Sequence, residues 1–375
     1  MRKHVIRPIM MLATISLFLQ RSTAATDIYA DGFSLIYSYD LQEANQLSDS
    51  LIDINPDHPK PYLLKTAVYW WYFISDLDNQ QFKDDFLREI KEAIQVAERY
   101  RKENQDDPEG LLYLGGFYGY LGRYYTLTNK WFGAYKSGKK ARKFLESLMK
   151  KRPDMHDAYL GLGLYHYYAD QLPKIIKILS FLLGIRGDKE LGLQELRIAA
   201  EKGVYAKTEA IVSLGWINVQ FERNYQEAVE IFSGLVQKFP LNPIFNSFLG
   251  LAHRRGEEYD SAKAVYQSVL NNPEVKYASN NQRAELNASL AFTYELGRDY
   301  ETARRYYAVT ESLGSEDYFK NAPWLYFNIA RCEEEMENTD KAITYYEKVL
   351  KCHDYFGHHS RAKEKIKKLR SPHSK

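Results

Sequence analysis

Apolar and small residues recur along this 375-residue chain at spacings of three and four, which place them on one face of a helix. Four alanines are each followed four residues later by an aromatic residue: Ala228 by Phe232, Ala262 by Tyr266, Ala303 by Tyr307 and Ala342 by Tyr346. The first two of these pairs are 34 residues apart. No segment alternates with period two for long enough to indicate a strand. The pattern predicts an all-α fold built from repeated helix pairs.

A second motif, a large aliphatic residue followed by a small one, lies upstream of the alanines. It occurs as Leu249-Gly250, Leu290-Ala291 and Ile329-Ala330, and nearer the N-terminus as Leu114-Gly115 and Leu162-Gly163. The small residue lets paired helices approach closely. Asn242-Pro243 predicts a helix start, because Asn caps free N–H groups and Pro fits the first helical position. Gly256, Gly297 and Gly122 each precede a Tyr by three residues, where we expect a turn that needs a positive φ.

These motifs resemble the tetratricopeptide repeat family, whose Leu-Gly-x-x-Tyr, Ala, aromatic and Pro pattern they follow with substitutions. The match is best over residues 207–273, with further units at 284–315 and 323–354, and more helix pairs are expected within 34–168. The resemblance implies an α-solenoid, a right-handed superhelix of antiparallel helix pairs in which each pair contacts chiefly its neighbours. Such chains bind partners far more often than they catalyse reactions, so we do not expect an enzyme.

The first 25 residues have the order of a signal peptide. Basic residues at 2–7 precede an apolar run at 9–19, and residues 22–24 are the small residues that a signal peptidase reads. The run is too short to span a bilayer comfortably. We expect export with cleavage near Ala24 or Ala25 and hence a periplasmic or secreted protein. An uncleaved anchor is the alternative.

The chain divides into four predicted parts. A signal peptide (1–25) precedes an N-terminal helical-repeat half (26–204), which contains an apolar insert at 172–185. A C-terminal tetratricopeptide array (205–360) follows. Residues 361–375 are predicted to form a basic capping helix and tail, because their apolar residues have helical spacing.

The insert at 172–185 is apolar on nearly every side, which a helix tolerates only when protein, a partner or lipid surrounds it. Residues 172–203 partly resemble the tetratricopeptide repeat protein 39 group and its inclusion-body-clearance relatives. That resemblance implies an intracellular scaffold linked to lipid or aggregate handling, whereas the signal segment indicates export. Two interpretations of the insert stay open. It is a core helix or, from Ile175 to Leu183, a contact for an apolar partner or a membrane surface.

Net charge argues against a nucleic-acid binder. The chain has 51 basic and 49 acidic residues, and residues 1–25 hold four of the bases and none of the acids. The remainder is close to neutral, whereas general nucleic-acid binding needs a basic face that displaces counterions.

The sequence shows no clear catalytic or metal-binding pattern. Cys352-His353 and His358-His359 are the one cluster of soft ligands, and their spacing matches no closed zinc pattern. Cys332 and Cys352 fall on different helices of the inferred repeat, so we do not expect a disulfide. Neither a phosphate-binding glycine loop nor a nucleophile elbow occurs. We expect no catalytic site, cofactor or metal.

The resemblance places a binding groove on the first helix of each pair. On this register seven residues face inward: Arg254, Arg255, Phe292, Glu295, Trp324, Phe327 and Arg331. Arginine and large aromatic residues are the types that anchor interfaces. The chaperone-binding subgroup of the family clamps a C-terminal carboxylate with Lys and Asn. Phe327 and Arg331 stand at two of those positions instead, so this chain departs from the clamp pattern.

Two functions remain in view. The first is an exported scaffold whose concave surface binds a protein or peptide of the cell envelope. The alternative is a binding protein for a small apolar or amphipathic, lipid-like ligand enclosed by Tyr-rich helices and the insert.

Overall fold

The structure, a computed structural model, describes residues 27–171, 187–354 and 357–371. These residues form 18 α-helices and no strand, which confirms the all-α solenoid. The predicted signal peptide (1–25) and apolar insert (172–185) lie outside the described residues. None of the described helices is long and apolar enough to cross a membrane.

The helices follow one another as α1 (Ile28–Tyr37), α2 (Leu41–Ile54), α3 (Pro59–Ser75), α4 (Gln80–Glu103), α5 (Glu109–Leu127), α6 (Trp131–Lys151), α7 (Ala158–Asp170), α8 (Lys189–Lys202), α9 (Lys207–Ile217), α10 (Tyr225–Lys238), α11 (Pro243–Arg255), α12 (Tyr259–Asn271), α13 (Asn280–Leu296), α14 (Tyr300–Leu313), α15 (Glu316–Asn321), α16 (Pro323–Glu335), α17 (Thr339–Val349) and α18 (His358–Leu369). A π-helical turn, Asn218–Glu222, extends α9. Apart from the short α15, each helix packs against the next, and α18 covers the last pair.

The start of α11 follows its sequence signal. The side-chain oxygen of Asn242 accepts hydrogen bonds from the backbone N–H groups of Ile244 (2.9 Å) and Phe245 (3.1 Å), and Pro243 is the first helical residue. The predicted helix start is confirmed. Asn242 is fully buried, and its amide nitrogen also donates to the carbonyl oxygen of Tyr37 at the end of α1 (2.8 Å). One side chain thus joins the first helix to the C-terminal repeats.

The turns between paired helices do not use glycine in the predicted way. Gly256 and Gly297 have φ values of −80° and −77°, and Gly122 lies within α5. The positive φ falls one residue later, at Glu257 (64°) and Arg298 (62°). The glycine closes its helix, and the chain reverses only at the next residue. The prediction was wrong, and two charged residues occupy the left-handed conformation at a cost of about 1 kcal/mol each.

Small residues do permit close approach within the helix pairs, as predicted. A Cβ atom added at Gly163 of α7 would lie 2.8 Å from the carbonyl oxygen of Gly192 in α8. One added at Gly250 of α11 would lie 2.5 Å from the ring of Tyr266, which is completely buried. A Cβ atom does not approach other heavy atoms this closely, so both helix pairs depend on the missing side chain.

The first helices pack against the C-terminal half of the chain. The ring of Tyr37 lies 5.8 Å from that of Phe239 and 5.7 Å from that of Trp71. The Trp71 ring in turn meets Phe245 edge-on at 5.4 Å. One continuous apolar core therefore runs from the N-terminal helices into α9, α10 and α11.

Hydrogen bonds between distant residues join the same surfaces: Trp71 Nε1 donates to Glu209 (2.9 Å), Asn281 Nδ2 to Asp76 (3.0 Å) and Asn321 Nδ2 to Asp78 (2.8 Å). The C-terminal end of α3 and the turn after it thus reach the N-terminal ends of α9 and α13 and the end of α15. In an ideal solenoid each repeat contacts only its neighbours. That expectation does not hold for α1–α3, because the N-terminal half curves back onto the C-terminal repeats.

Candidate binding surface

Three successive first helices, α11, α13 and α16, bring two arginines onto one aromatic ring. The guanidinium carbon of Arg254 lies 5.1 Å from the ring centroid of Phe292, and that of Arg331 lies 6.0 Å from it. All three side chains are half-buried. Phe292 thus has two cations near its ring, an arrangement that the negative face of an aromatic ring favours.

Glu295, one turn after Phe292 on α13, is the buried acid of this surface. It is 4% exposed and accepts hydrogen bonds from Arg331 Nε and from the hydroxyl of Tyr307 (2.8 Å). Burial raises the pKa of the Glu295 carboxyl, and the two donors only partly offset that effect. Burial, followed by the charge of Glu295, raises the pKa of Tyr307. The carboxylate therefore depends on Arg331 for its charge partner.

Glu285 is a further acid of the same helix that the sequence interpretation missed. Its carboxylate accepts a hydrogen bond from the Tyr318 hydroxyl (2.7 Å), and the residue as a whole is partly exposed to solvent. Desolvation by the surrounding protein raises its pKa, whereas the Tyr318 hydrogen bond and the charge of Arg254 lower it. Glu285 precedes Phe292 by seven residues, a spacing that puts both on one helix face. That spacing could have identified it.

Asp78 approaches this surface from the turn between α3 and α4. It accepts a hydrogen bond from Asn321, and burial raises its pKa. Its charge also raises the pKa of Glu285. No local pattern could have placed Asp78 here, because its position follows from the return of the N-terminal helices to the C-terminal repeats.

The structure brings together four of the seven predicted residues: Arg254, Phe292, Glu295 and Arg331. With Glu285 they are called the inner-face cluster below. Arg255 is exposed as the last residue of α11 and makes none of these contacts. Trp324 and Phe327 lie on the same face of α16 as Arg331.

Phe327 and Trp324 serve mainly in packing. The Phe327 ring lies 5.2 Å from that of Tyr346 and 6.0 Å from that of His358, and Arg361 lies over it at 5.2 Å. Trp324 is half-buried against the core between α13 and α16. These two aromatic residues connect α16 to its neighbours and extend the surface beyond the inner-face cluster.

The arrangement suits recognition of a polar, extended partner. Arg254 donates to the carbonyl oxygen of Ser289 (3.0 Å) while stacking on Phe292, so its guanidinium is held in one orientation. Arg331 is already paired with Glu295, which makes it a poor clamp for a free carboxylate. The Glu285 carboxylate completes a surface that carries both signs of charge around one aromatic ring.

The cysteine and histidine residues near the C-terminus form ordinary protein contacts. Cys332 and Cys352 are free thiols and both are buried. His359 contacts the carbonyl oxygen of Cys352 (2.9 Å), and the Cys352 thiol donates to the carbonyl oxygen of Phe319 (3.3 Å). Among the described residues, no group of three or more His, Cys, Asp or Glu side chains is arranged to hold a metal ion.

Family models for tetratricopeptide repeats match two stretches of the sequence, residues 220–279 and 325–351. The first stretch contains α10, α11 and α12, and the second contains most of α16 and all of α17. Comparison with curated protein sequences gives no match. The partial resemblance of residues 172–203 to the tetratricopeptide repeat protein 39 group stays a prediction.

Solved structures share the solenoid fold. A chain of the APC/C Cut9–Hcn1 hetero-tetramer matches with a TM-score of 0.56 at 15% identity, over 88% of this chain and 53% of that chain. This chain therefore spans about half the length of that protein. PilF of Pseudomonas aeruginosa (TM-score 0.46, 17% identity, 68% of this chain and 99% of that chain) and yeast Tom70 (0.45, 13%, 91% and 88%) are also similar. From its repeat motifs, its helix pairs and the two family matches, the chain contains tetratricopeptide repeats within an α-solenoid.

Proposed function

We propose that the chain is an exported scaffold of the cell envelope that holds a protein or peptide partner against the inner-face cluster. Tetratricopeptide repeats on a solenoid support a role in protein interaction. The observation that carries the proposal is the row of Arg254, Phe292 and Arg331 on three successive first helices. Arginine and aromatic side chains that are half-buried and fixed by neighbours are the residues that anchor interfaces.

An extended peptide segment is the partner class that this chemistry favours. Phe292 offers an apolar face, Arg254 offers guanidinium N–H groups, and Glu285 offers a carboxylate. Such a mixed surface can bind backbone groups and side chains of both charges. The proposal needs neither catalysis nor a cofactor.

Export is the second part of the proposal, and residues 1–25 support it by their basic, apolar and small-residue order. N-terminal sequencing of the native protein tests it directly. A mature start near Ala24 or Ala25 in a periplasmic or secreted fraction is expected. Full-length chain with Met1 intact, found only in the cytosol, would contradict export without affecting the binding surface.

Photo-crosslinking tests the binding surface. A photoreactive phenylalanine replaces Phe292, which keeps an aromatic ring beside the two arginines. A matched control replaces Val309, which is 42% exposed on the second helix α14. We expect a discrete protein or peptide adduct at position 292 and none at 309. Equal adducts at both positions, or none at either, would reject the inner-face cluster as the partner site.

A small lipid-like ligand would give a different result. Two surface depressions of the described residues lie beside α4 and are open, with Glu98, Arg101 and Lys102 among their lining residues. An enclosed carrier needs an apolar cavity instead. Lipid co-purifying in stoichiometric amount, with no adduct at position 292, would favour the carrier function.

A further inference from the structure

The hairpin formed by α5 and α6 exposes two adjacent aromatic side chains at its tip. Trp131 is 62% exposed and Phe132 is 74% exposed, the most exposed tryptophan and phenylalanine among the described residues. Leu127, on the other side of the turn, is 46% exposed. Large apolar side chains that protrude together mark a contact surface more often than chance exposure.

The same hairpin is strongly basic, although the chain as a whole is close to neutral. No Asp or Glu occurs between Glu109 and Glu146, whereas seven basic residues do: Arg123, Lys130, Lys136, Lys139, Lys140, Arg142 and Lys143. A balanced chain with 51 basic and 49 acidic residues has no general reason for such a run. The run gives this edge of the molecule a net positive charge.

Helical spacing aligns the exposed lysines with Phe132. Helix α6 buries Ser137, Ala141, Leu145 and Leu148. On the opposite face, Phe132, Lys136, Lys139 and Lys143 follow at steps of four, three and four, and all four are exposed. We call the last three residues the lysine stripe. The stripe begins one turn from the aromatic tip, so both can meet one surface.

The lysine stripe is available for an external anion. Within the part of the chain that the structure describes, none of its three lysines pairs with a carboxylate. Lys136 lies over the Phe132 ring at 5.6 Å and Lys139 over the Tyr135 ring at 5.8 Å. Lys140 differs, because it donates to the Tyr118 hydroxyl (2.9 Å), which in turn donates to Glu98 of α4 (3.0 Å). Lys140 is therefore not included in the stripe.

We infer that this edge docks the protein on the surface of an anionic phospholipid bilayer. Trp131 and Phe132 would enter the headgroup region, where aromatic rings are favoured, while the lysine stripe lies over the acidic headgroups. Two weak signals of this kind, apolar insertion and basic attraction, together give stable peripheral binding. The surface is separate from the inner-face cluster, so a docked chain can hold a partner at the same time.

The fluorescence of Trp131 tests the docking locally. The full chain is mixed with vesicles of phosphatidylcholine and phosphatidylglycerol in equal amounts, or of phosphatidylcholine alone. The Trp131 signal is the difference between the parent spectrum and that of Trp131→Phe, which keeps an aromatic anchor. We expect a blue shift with the anionic vesicles only, and its loss at high salt because salt screens the lysines. Because the readout is local, vesicle binding through residues 1–25 does not imitate it.

Two triple variants with the same change of charge distinguish binding through this edge from an effect of net charge. The triple variant Lys136→Glu, Lys139→Glu and Lys143→Glu should weaken the vesicle affinity reported by Trp131 on the order of a hundredfold. The control triple Lys363→Glu, Lys367→Glu and Lys368→Glu alters exposed lysines of α18 by the same charge and should leave the affinity within about twofold of the parent value.

Three results would overturn the docking proposal. They are no blue shift with anionic vesicles, an equal shift with neutral vesicles, and equal weakening by the two triple variants. If no blue shift occurs with anionic vesicles, the aromatic tip would instead be a contact surface for an acidic protein partner.

Discussion

Two buried tyrosines, Tyr307 and Tyr346, each donate a hydrogen bond to a glutamate twelve residues earlier in the chain. Tyr307 bonds Glu295 and Tyr346 bonds Glu334, both at 2.8 Å. Both tyrosines are completely buried. A buried hydroxyl without a partner is costly, so the glutamates account for tyrosine rather than phenylalanine at these repeat positions. At Glu295 the bond also supplies one of two donors to a buried carboxylate, and Arg331 supplies the other.

Removal of the Arg331 guanidinium should produce a pH-dependent loss of stability. Burial raises the pKa of Glu295 above its unfolded value, so its contribution to stability is greatest at low pH and is lost as pH rises through the folded pKa. Arg331→Met removes the cation and raises this pKa further. We expect a loss of roughly 2 kcal/mol near neutral pH, discounted because Arg331 is 38% exposed, and a smaller loss at about pH 5.

Urea unfolding at the two pH values measures this loss. Arg255→Met is the control, since Arg255 is an exposed arginine of the first helix α11, and it should change stability by under about 0.5 kcal/mol. Arg331→Lys should retain part of the stability. A loss from Arg331→Met that is the same at both pH values would show that Glu295 does not depend on Arg331 for its charge partner.

Paired helices are held at a distance that single glycines determine. Between α7 and α8 the contact is backbone to backbone, because a Cβ atom at Gly163 would meet both the carbonyl oxygen of Gly192 (2.8 Å) and the amide nitrogen of Leu196 (3.0 Å). Backbone atoms of two helices cannot move aside as a flexible side chain can. Gly234 of α10 is a helical glycine with no atom within 4 Å of its added Cβ.

The two glycines should therefore respond to alanine with opposite signs. Gly163→Ala forces α7 and α8 apart and should destabilise the fold by about 1–3 kcal/mol. Gly234→Ala gains helix propensity without a clash and should stabilise it by up to about 1 kcal/mol. Equilibrium unfolding of both variants measures the difference. If Gly163→Ala proves as stabilising as Gly234→Ala, the close α7–α8 contact is not a constraint on this helix pair.

The C-terminal helix pairs could be predicted from the sequence because each pair carries its own local pattern. The unit predicted at 323–354 corresponds to α16 and α17, and the alanine and aromatic residues of all four repeats are completely buried. The short helix α15 was missed, since it lies between two units and has no repeat motif. The turn geometry was misplaced by one residue, because the pattern shows where a helix ends but not which residue reverses the chain.

The binding surface was less predictable than the helices. Arg254, Phe292, Glu295 and Arg331 follow from the repeat register, which fixes the face of each first helix. The position of Asp78 beside this surface does not follow from the register, because Asp78 reaches Asn321 across 243 residues of sequence. Periodicity reports contacts within a helix pair and between neighbours. It carries no information on how far the N-terminal half curves.

At the scale of the whole molecule, the return of α1–α3 changes how stability is distributed. Trp71 is 1% exposed and contacts Tyr37, Phe245 and Glu209, so it belongs to both halves of the chain. Arg123 of α5 also pairs with Glu209 (3.3 Å). A neighbour-only array would unfold piece by piece. Long-range contacts of this kind instead couple the first helices to α9 and α11.

Replacement of Trp71 by alanine should therefore weaken both halves together. We expect a loss of about 3–5 kcal/mol, the cost of removing a large buried aromatic side chain, in a single unfolding transition. Native-state hydrogen exchange should accelerate in α9 and α11 as well as in α1 and α3. Trp131→Ala is the control, since Trp131 is 62% exposed, and it should alter stability by under about 0.5 kcal/mol. Faster exchange confined to α1–α4 would mean that the two halves unfold independently despite their shared core.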